Sequence, residues 1–117
     1  MKKVLVIDDE LSIRLLLREI IEEVGIEVFE AETAIVGLEM LETKIFDLII
    51  MDIQMPQMNG LDAMRKLREI TNTPVFILTA FNHLEEVVVN LEVDVQKFIK
   101  KPFDIDELVE MVKKQIG

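Results

Sequence analysis

Asp47-Leu48-Ile49-Ile50-Met51-Asp52-Ile53-Gln54-Met55-Pro56-Gln57-Met58-Asn59-Gly60 decides how this chain folds. Leu48 to Met51 is an unbroken apolar run. A short run of this kind, bounded by turn signals, suits a strand buried on both faces. The run stops at a carboxylate, Asp52. Pro56 and Asn59-Gly60 then break regular structure into a loop and turn. In open α/β sheets, ligands sit beyond the carboxyl ends of the strands. Asp52 is therefore the candidate reactive residue.

The flanking sequence repeats the pattern. Val4 to Ile7 is a β-branched apolar run that ends in Asp8-Asp9. Leu11 to Val24 reads as a helix with a stripe of Ile13, Leu17, Ile20, Ile21 and Val24, closed by Gly25. Ile26 to Ala31 is a second strand. Thr33 caps a helix to about Leu41, with Ile35, Leu38 and Leu41 expected to face inward. After Gly60, Leu61, Met64 and Leu67 fall in helical phase. Asn72-Thr73-Pro74 forms a turn, and Val75 to Leu78 is a strand ending at Thr79. Leu84 to about Val93 reads as a helix, although the run Val87-Val88-Val89 has weak helix propensity. Lys97 to Ile99 is a short fifth strand. The last helix is the best signalled: Asp104 is its N-cap, Glu107 completes a capping box, and Phe103 and Leu108 hold the staple positions up to about Ile116. Such alternation implies a mostly parallel sheet with helices on both faces and right-handed crossovers.

Composition bounds what this fold can do. The chain has 117 residues, half of them hydrophobic, which suits one domain with one core over residues 1–117. Cysteine is absent, so neither disulfides nor thiolate metal ligands arise. No apolar run reaches membrane-spanning length. The run after Met1-Lys2-Lys3 is cut too early by Asp8-Asp9-Glu10 to be a signal peptide, so a cytoplasmic location is expected. A net charge of −10 argues against direct nucleic-acid binding. No G-x-x-x-x-G-K phosphate loop is present.

A parallel sheet brings the strand ends together: Asp8 and Asp9 from the first strand, Asp52 from the third, Thr79 from the fourth, and Lys100-Lys101-Pro102 from the fifth. Carboxylates gathered in this way repel, so a cation is expected among them. Short acids without His or Cys suit Mg²⁺, with Mn²⁺ as a substitute. With a metal and a lysine present, the crevice can hold a phosphoryl group, and an aspartate can attack it to form an aspartyl phosphate. Asp52 would attack, Lys101 would meet the charge from the other side, and Thr79 would donate a hydroxyl hydrogen bond. A cis bond at Pro102 would aim the lysine. His83, the only histidine, reads as a surface residue beside the site. Met55 and Met58 could line its mouth, while the other methionines read as core and loop filler.

Ile7-Asp8-Asp9-Glu10, Met51-Asp52 through Gly60, Leu78-Thr79-Ala80 and Lys101-Pro102-Phe103 together resemble the receiver domain of two-component response regulators. The resemblance covers the whole chain, with the motifs in order. It implies a doubly wound, flavodoxin-like (βα)5 fold with strand order 2-1-3-4-5. It implies phosphorylation of Asp52 by a sensor histidine kinase, without enzyme activity beyond self-phosphorylation and slow autodephosphorylation. It also implies Mg²⁺ held by Asp9, Asp52 and the Gln54 backbone carbonyl, with Asp8 acting mainly through water. A switch is implied in which Thr79 moves toward the phosphoryl group and the aromatic Phe98 follows.

Two departures stand out. Phe98 has no hydroxyl to hold an outward state, and Asp94-Val95 stands where the family often has Gly-Ala. Asp94 is expected to adopt φ > 0, or else the helix end is rebuilt. Leu11 and Leu15 lie off the core stripe of the first helix and Leu16 lies at its edge, so an exposed apolar patch is expected beside the site. Family members dock their kinase there. Ile13, Leu16, Pro102 and Phe103 are accordingly the expected docking residues.

The reading is a stand-alone, monomeric receiver that signals to a protein partner through its fourth helix, fifth strand and fifth helix. The alternatives are a phosphorelay intermediate and the receiver part of a longer DNA-binding regulator. An aspartate-nucleophile phosphatase of the haloacid dehalogenase type would need an acid two residues after the nucleophile, where Gln54 stands. A phosphorylation-independent pseudo-receiver is disfavoured because every expected site residue is present.

Overall fold

A computed structural model describes residues 1–54, 60–80 and 95–117. The elements are β1 (Lys3–Ile7), α1 (Leu11–Glu22), β2 (Glu27–Ala31), α2 (Ala34–Thr43), β3 (Leu48–Asp52), α3 (Gly60–Ile70), β4 (Val75–Thr79), β5 (Lys97–Lys100) and a C-terminal helix (Ile105–Ile116). The expected helix over 84–93, the valine run, Asp94, His83, Met55, Met58 and the turn at Pro56 and Asn59 lie outside the described residues.

The strands form one parallel sheet in the order β2-β1-β3-β4-β5. Every residue of β3 and β4 is buried, because helices cover both faces of the sheet. Strand side chains alternate between two cores. Leu5, Ile7, Ile49, Met51 and Ile77 pack with Ala34 and Leu41 of α2 and with Ala63, Met64 and Leu67 of α3. Val4, Val6, Leu48, Ile50 and Phe76 pack with Leu17 and Ile21 of α1 and with Leu108 and Val112 of the C-terminal helix.

The local signals act as their chemistry requires. Thr33 Oγ1 accepts from the Val36 amide at 3.1 Å, and Asp104 Oδ1 accepts from the Glu107 amide at 2.9 Å. Each supplies an acceptor to a donor that the first helical turn leaves unpaired. Gly25 has φ +84°, and its amide donates to the Glu22 carbonyl at 3.0 Å after α1 ends. The Lys101–Pro102 peptide is cis.

Two helix faces differ from the sequence reading. α1 stops at Glu22, so Val24 leaves the buried stripe and is exposed. α2 turns Ala34, Gly37 and Leu41 to the sheet, whereas Ile35 is 44% exposed and Leu38 is only partly buried. The reason is proximity. A Cβ on Gly37 would stand 2.5 Å from Ile7 Cδ1, so the helix lies too close to the sheet for a large side chain at that point. Six of the ten residues of this helix are Ala, Ile, Val, Leu or Met and they fall on more than one side, so periodicity alone leaves several faces plausible. In α3, Met64 and Leu67 are buried as expected, and the Leu61 side chain lies outside the described residues.

Candidate functional site

Strand register brings the site together. Ile7 pairs with Met51, Asp52 with Leu78, and Thr79 with Lys100. Backbone bonds carry the pairing one residue further: the Asp8 amide donates to Ala31 O at 3.1 Å, Ile53 to Leu78 O at 3.1 Å and Lys101 to Thr79 O at 2.8 Å. Asp8, Asp52, Thr79 and Lys101 therefore share one edge of the sheet. Asp8, Asp52 and Thr79 are buried, and Asp9 and Glu10 are exposed.

Asp8 and Asp52 are bound alike. Each uses Oδ1 to accept a backbone amide two residues on: Glu10 N for Asp8 at 2.9 Å and Gln54 N for Asp52 at 2.9 Å. Each leaves Oδ2 to the same ammonium, with Lys101 Nζ 2.9 Å from Asp8 and 3.1 Å from Asp52. Glu10 Oε1 is a third, exposed acceptor at 3.4 Å. The turns after β1 and β3 thus aim two carboxylates at one point, and the residue after β5 supplies the counter-charge.

Burial raises the Asp52 carboxyl above its ordinary 3.8. The Gln54 amide pulls it back, Asp8 pushes it up and Lys101 pulls it down. For Lys101, burial favours the neutral amine, but the hydrogen bond to Asp8 and the charges of Asp52 and Asp8 outweigh it. Its pKa lies above the ordinary 10.5.

Carboxylate oxygens of Asp8, Asp9, Glu10 and Asp52 all lie within 4.8 Å of one another. This all-oxygen set of short acids has the chemistry that Mg²⁺ requires. Lys101 already bridges two of the acids, so the cluster is organised around positive charge.

The docking residues divide. Leu11 and Leu15 are 57% and 51% exposed, and Leu16 is half-buried. Ile13 and Phe103 pack partly against the core beneath α1, and Pro102 is exposed. Phe98 is half-buried against the core on the α2 and α3 side.

Sequence reasoning passed over Arg14 and the lysine contact of Glu10. Arg14 is buried on the α1 stripe with Leu17 and Ile21. Its Nη1 donates to the Asp8 carbonyl at 2.6 Å and its Nε to Glu30 Oε1 at 3.2 Å. A charge in phase with an apolar stripe was the available signal.

A five-stranded, doubly wound sheet with converging acids and a lysine at its carboxyl edge defines a flavodoxin-like α/β domain with a carboxylate cluster suited to a divalent cation. The chain belongs to the response regulator receiver domain family, which matches residues 4–113, and is a receiver domain of two-component signalling. Members of this family are not catalytic enzymes in the usual sense, and they bind Mg²⁺.

Sporulation initiation phosphotransferase F of Bacillus subtilis (strain 168) is 32% identical over 98% of this chain and 94% of that protein. Transcriptional regulatory protein CpxR of Escherichia coli (strain K12) is 35% identical over 97% of this chain but 48% of its own length. The chain thus spans about half of several transcriptional regulators that it matches. A CheY-like receiver domain protein from Methanospirillum hungatei JF-1 superposes with a TM-score of 0.92 at 30% identity, covering 99% of this chain and 94% of that one. Response regulator protein TrrA from Thermotoga maritima, in complex with Mg²⁺-BeF, superposes with a TM-score of 0.86 at 35% identity, covering 98% and 99%. Membership implies a histidine kinase as partner. Among the described residues, no helix is long and apolar enough to cross a membrane.

Proposed function

We propose that Asp52 is the phosphoryl acceptor of this receiver, served by Lys101, Thr79, Asp8 and Asp9. The carrying observation is that Lys101 Nζ bridges the Oδ2 atoms of Asp8 and Asp52. It already stands where the charge of a phosphoryl group on Asp52 needs an ammonium. In the transfer, an Asp52 oxygen bonds to phosphorus as the phosphorus–nitrogen bond of a phosphohistidine breaks. The other ring nitrogen carries a proton through the transfer, so the products are an acyl phosphate and a neutral imidazole. Burial makes the Asp52 carboxylate a stronger base than an exposed one, which favours attack. The Gln54 amide, on Oδ1, fixes the direction of the carboxylate.

Asp9, Asp52 and the Gln54 carbonyl would hold Mg²⁺, with Asp8 acting through water. The bound ion would neutralise charge on the transferring group. Thr79, buried at the end of β4, is the hydroxyl that would follow the phosphoryl group, and Phe98 is the aromatic residue that would respond. Phe98 is half-buried against a core shared with α2 and α3, so a change in its packing would be felt by both helices.

Incubation with Mg²⁺ and acetyl phosphate tests the mechanism. Wild type should gain the mass of one phosphoryl group, labile to base, and Asp52→Ala should not. An undiminished adduct in Asp52→Ala would sink the assignment.

A sensor histidine kinase would dock on the exposed Leu11 and Leu15 with Ile13, Leu16, Pro102 and Phe103 around them. Charged substitutions at Leu11, Leu15 and Leu16 should slow phosphotransfer from the kinase but spare labelling by acetyl phosphate. Unchanged transfer would remove the docking idea. The nearly full-length similarity to a phosphotransferase supports onward transfer in a phosphorelay. The reading is of a cytoplasmic, monomeric protein that signals to another protein. The half-length matches support the second reading, a receiver, here residues 1–117, that serves a DNA-binding regulator.

A further inference from the structure

Arg14 has no part in the roles assigned above, yet its side chain is committed to the site. It lies one turn into α1 and is 9% exposed. A buried guanidinium needs protein acceptors for its donors. Nη1 donates to the Asp8 carbonyl at 2.6 Å, and Nε donates to Glu30 Oε1 at 3.2 Å. Arg18, one turn on, meets the other oxygen of Glu30, with Nε 3.1 Å from Oε2, and its Nη2 donates to Val28 O at 3.0 Å. Glu30 of β2 therefore anchors two arginines of α1, and only Arg14 reaches the acidic turn.

The target of that bond matters. The Asp8 carbonyl belongs to the Asp8–Asp9 peptide, which is planar. Holding its oxygen fixes the plane from which Asp9 departs. The Asp8 side chain is fixed separately, by the Glu10 amide and Lys101. Asp9 is exposed, and among the described residues no hydrogen bond or ion pair anchors its carboxylate in this way.

We infer that Arg14 is a positioning residue for the cation site. It holds the Asp8–Asp9 peptide so that the Asp9 carboxylate converges with those of Asp8 and Asp52, and Glu30 orients the arginine. The inference rests on reading this cluster as the Mg²⁺ site. The sign of the effect separates it from charge alone. Arg14 is a cation beside a cation site, so simple repulsion predicts that neutralising it tightens Mg²⁺ binding. Positioning predicts the opposite.

The test compares wild type, Arg14→Met, Arg14→Lys and Arg18→Met. Mg²⁺ affinity is read by titration calorimetry, since the chain has neither Trp nor Tyr as an intrinsic reporter. Amide exchange at Glu10 is read in metal-free protein. Both Arg14 variants should bind Mg²⁺ about tenfold or more weakly, the usual scale for losing a group that orients a metal ligand. Glu10 exchange should quicken in both. Arg18→Met loses contacts to the same Glu30 but not to Asp8, and should bind Mg²⁺ as wild type does. Equal or tighter binding by a folded Arg14→Met would overturn the inference. If that variant does not fold, unchanged binding by Arg14→Lys would do so. Failure of wild type to bind Mg²⁺ would instead overturn the reading of the site, and the exchange comparison would still decide the role of Arg14.

Discussion

Lys101→Met probes the electrostatics that hold the strand ends together. Lys101 Nζ lies 2.9 Å from Asp8 Oδ2 and 3.1 Å from Asp52 Oδ2, with the three side chains 11%, 0% and 4% exposed. Methionine keeps much of the stem and removes the charge. Two buried carboxylates are then left facing each other. Deleting one partner of a buried ion pair costs about 3–5 kcal/mol. A second route bounds the loss, because one acid can escape by taking up a proton. Keeping neutral at pH 7 a carboxyl whose ordinary pKa is 3.8 costs about 1.4 kcal/mol per unit, or roughly 4 kcal/mol. The two routes agree on a loss near 4 kcal/mol, a large share of the ~5–15 kcal/mol that stabilises such a domain. At pH 5 the proton route limits the loss to less than about 2 kcal/mol. Urea unfolding in metal-free buffer at both pH values reads this directly. The midpoint at pH 7 should fall by on the order of 2 M, with little change in slope. Adding Asp8→Asn should restore much of the loss. A loss under about 1 kcal/mol at pH 7, or an equal loss at both pH values, would mean that water already screens the pair and that the reasoning is wrong.

Four further outcomes follow from the same geometry. Burial raises Asp52 above 3.8, so the native state binds its proton more tightly than the unfolded chain does. The stability present below pH 3.8 is lost as pH rises through the native value. Asp52→Asn should therefore be more stable than wild type at pH 7 without metal, a gain that disappears in acid, as denaturation across pH will report. Lys101 is held protonated above 10.5, so its contribution is complete below that pH and is lost as pH rises through its native value. Lys101→Met should lack that alkaline phase of unfolding. Gly37→Ala would set a Cβ 2.5 Å from Ile7 Cδ1. Overpacking of about 1–3 kcal/mol should exceed the gain of up to about 1 kcal/mol in helix propensity, so thermal melts should fall by several degrees. Asp104→Ala removes the acceptor for the Glu107 amide and should cost about 1 kcal/mol by urea unfolding.

Local chemistry was legible wherever the signal was itself local. Four-residue apolar runs rich in β-branched residues and bounded by turn signals suit strands buried on both faces, and β1, β3 and β4 fall on them. Thr33, Asp104 and Gly25 act through atoms within a few residues of themselves, so their roles follow from type and position. The acids at the strand ends and the lysine after β5 could be assembled because parallel strands put every carboxyl end on one edge. The inward face of α2 could not be read in this way. Its apolar residues surround the helix, and only the distance to Ile7 selects Gly37 over Ile35.

The sequence by itself determined the alternation of strands and helices, the caps, and the set of charged residues that meet at one edge. Those properties depend on residue type and on separations of a few positions. Tertiary structure alone decided which charges touch. It buried Asp8 and left Asp9 exposed, although they are neighbours in the chain. It set one ammonium between Asp8 and Asp52, and placed Arg14 under the Asp8 carbonyl with Glu30 behind it. These contacts span 6 to 93 positions. They depend on strand register and on the depth of the helix against the sheet, which no short window of sequence encodes.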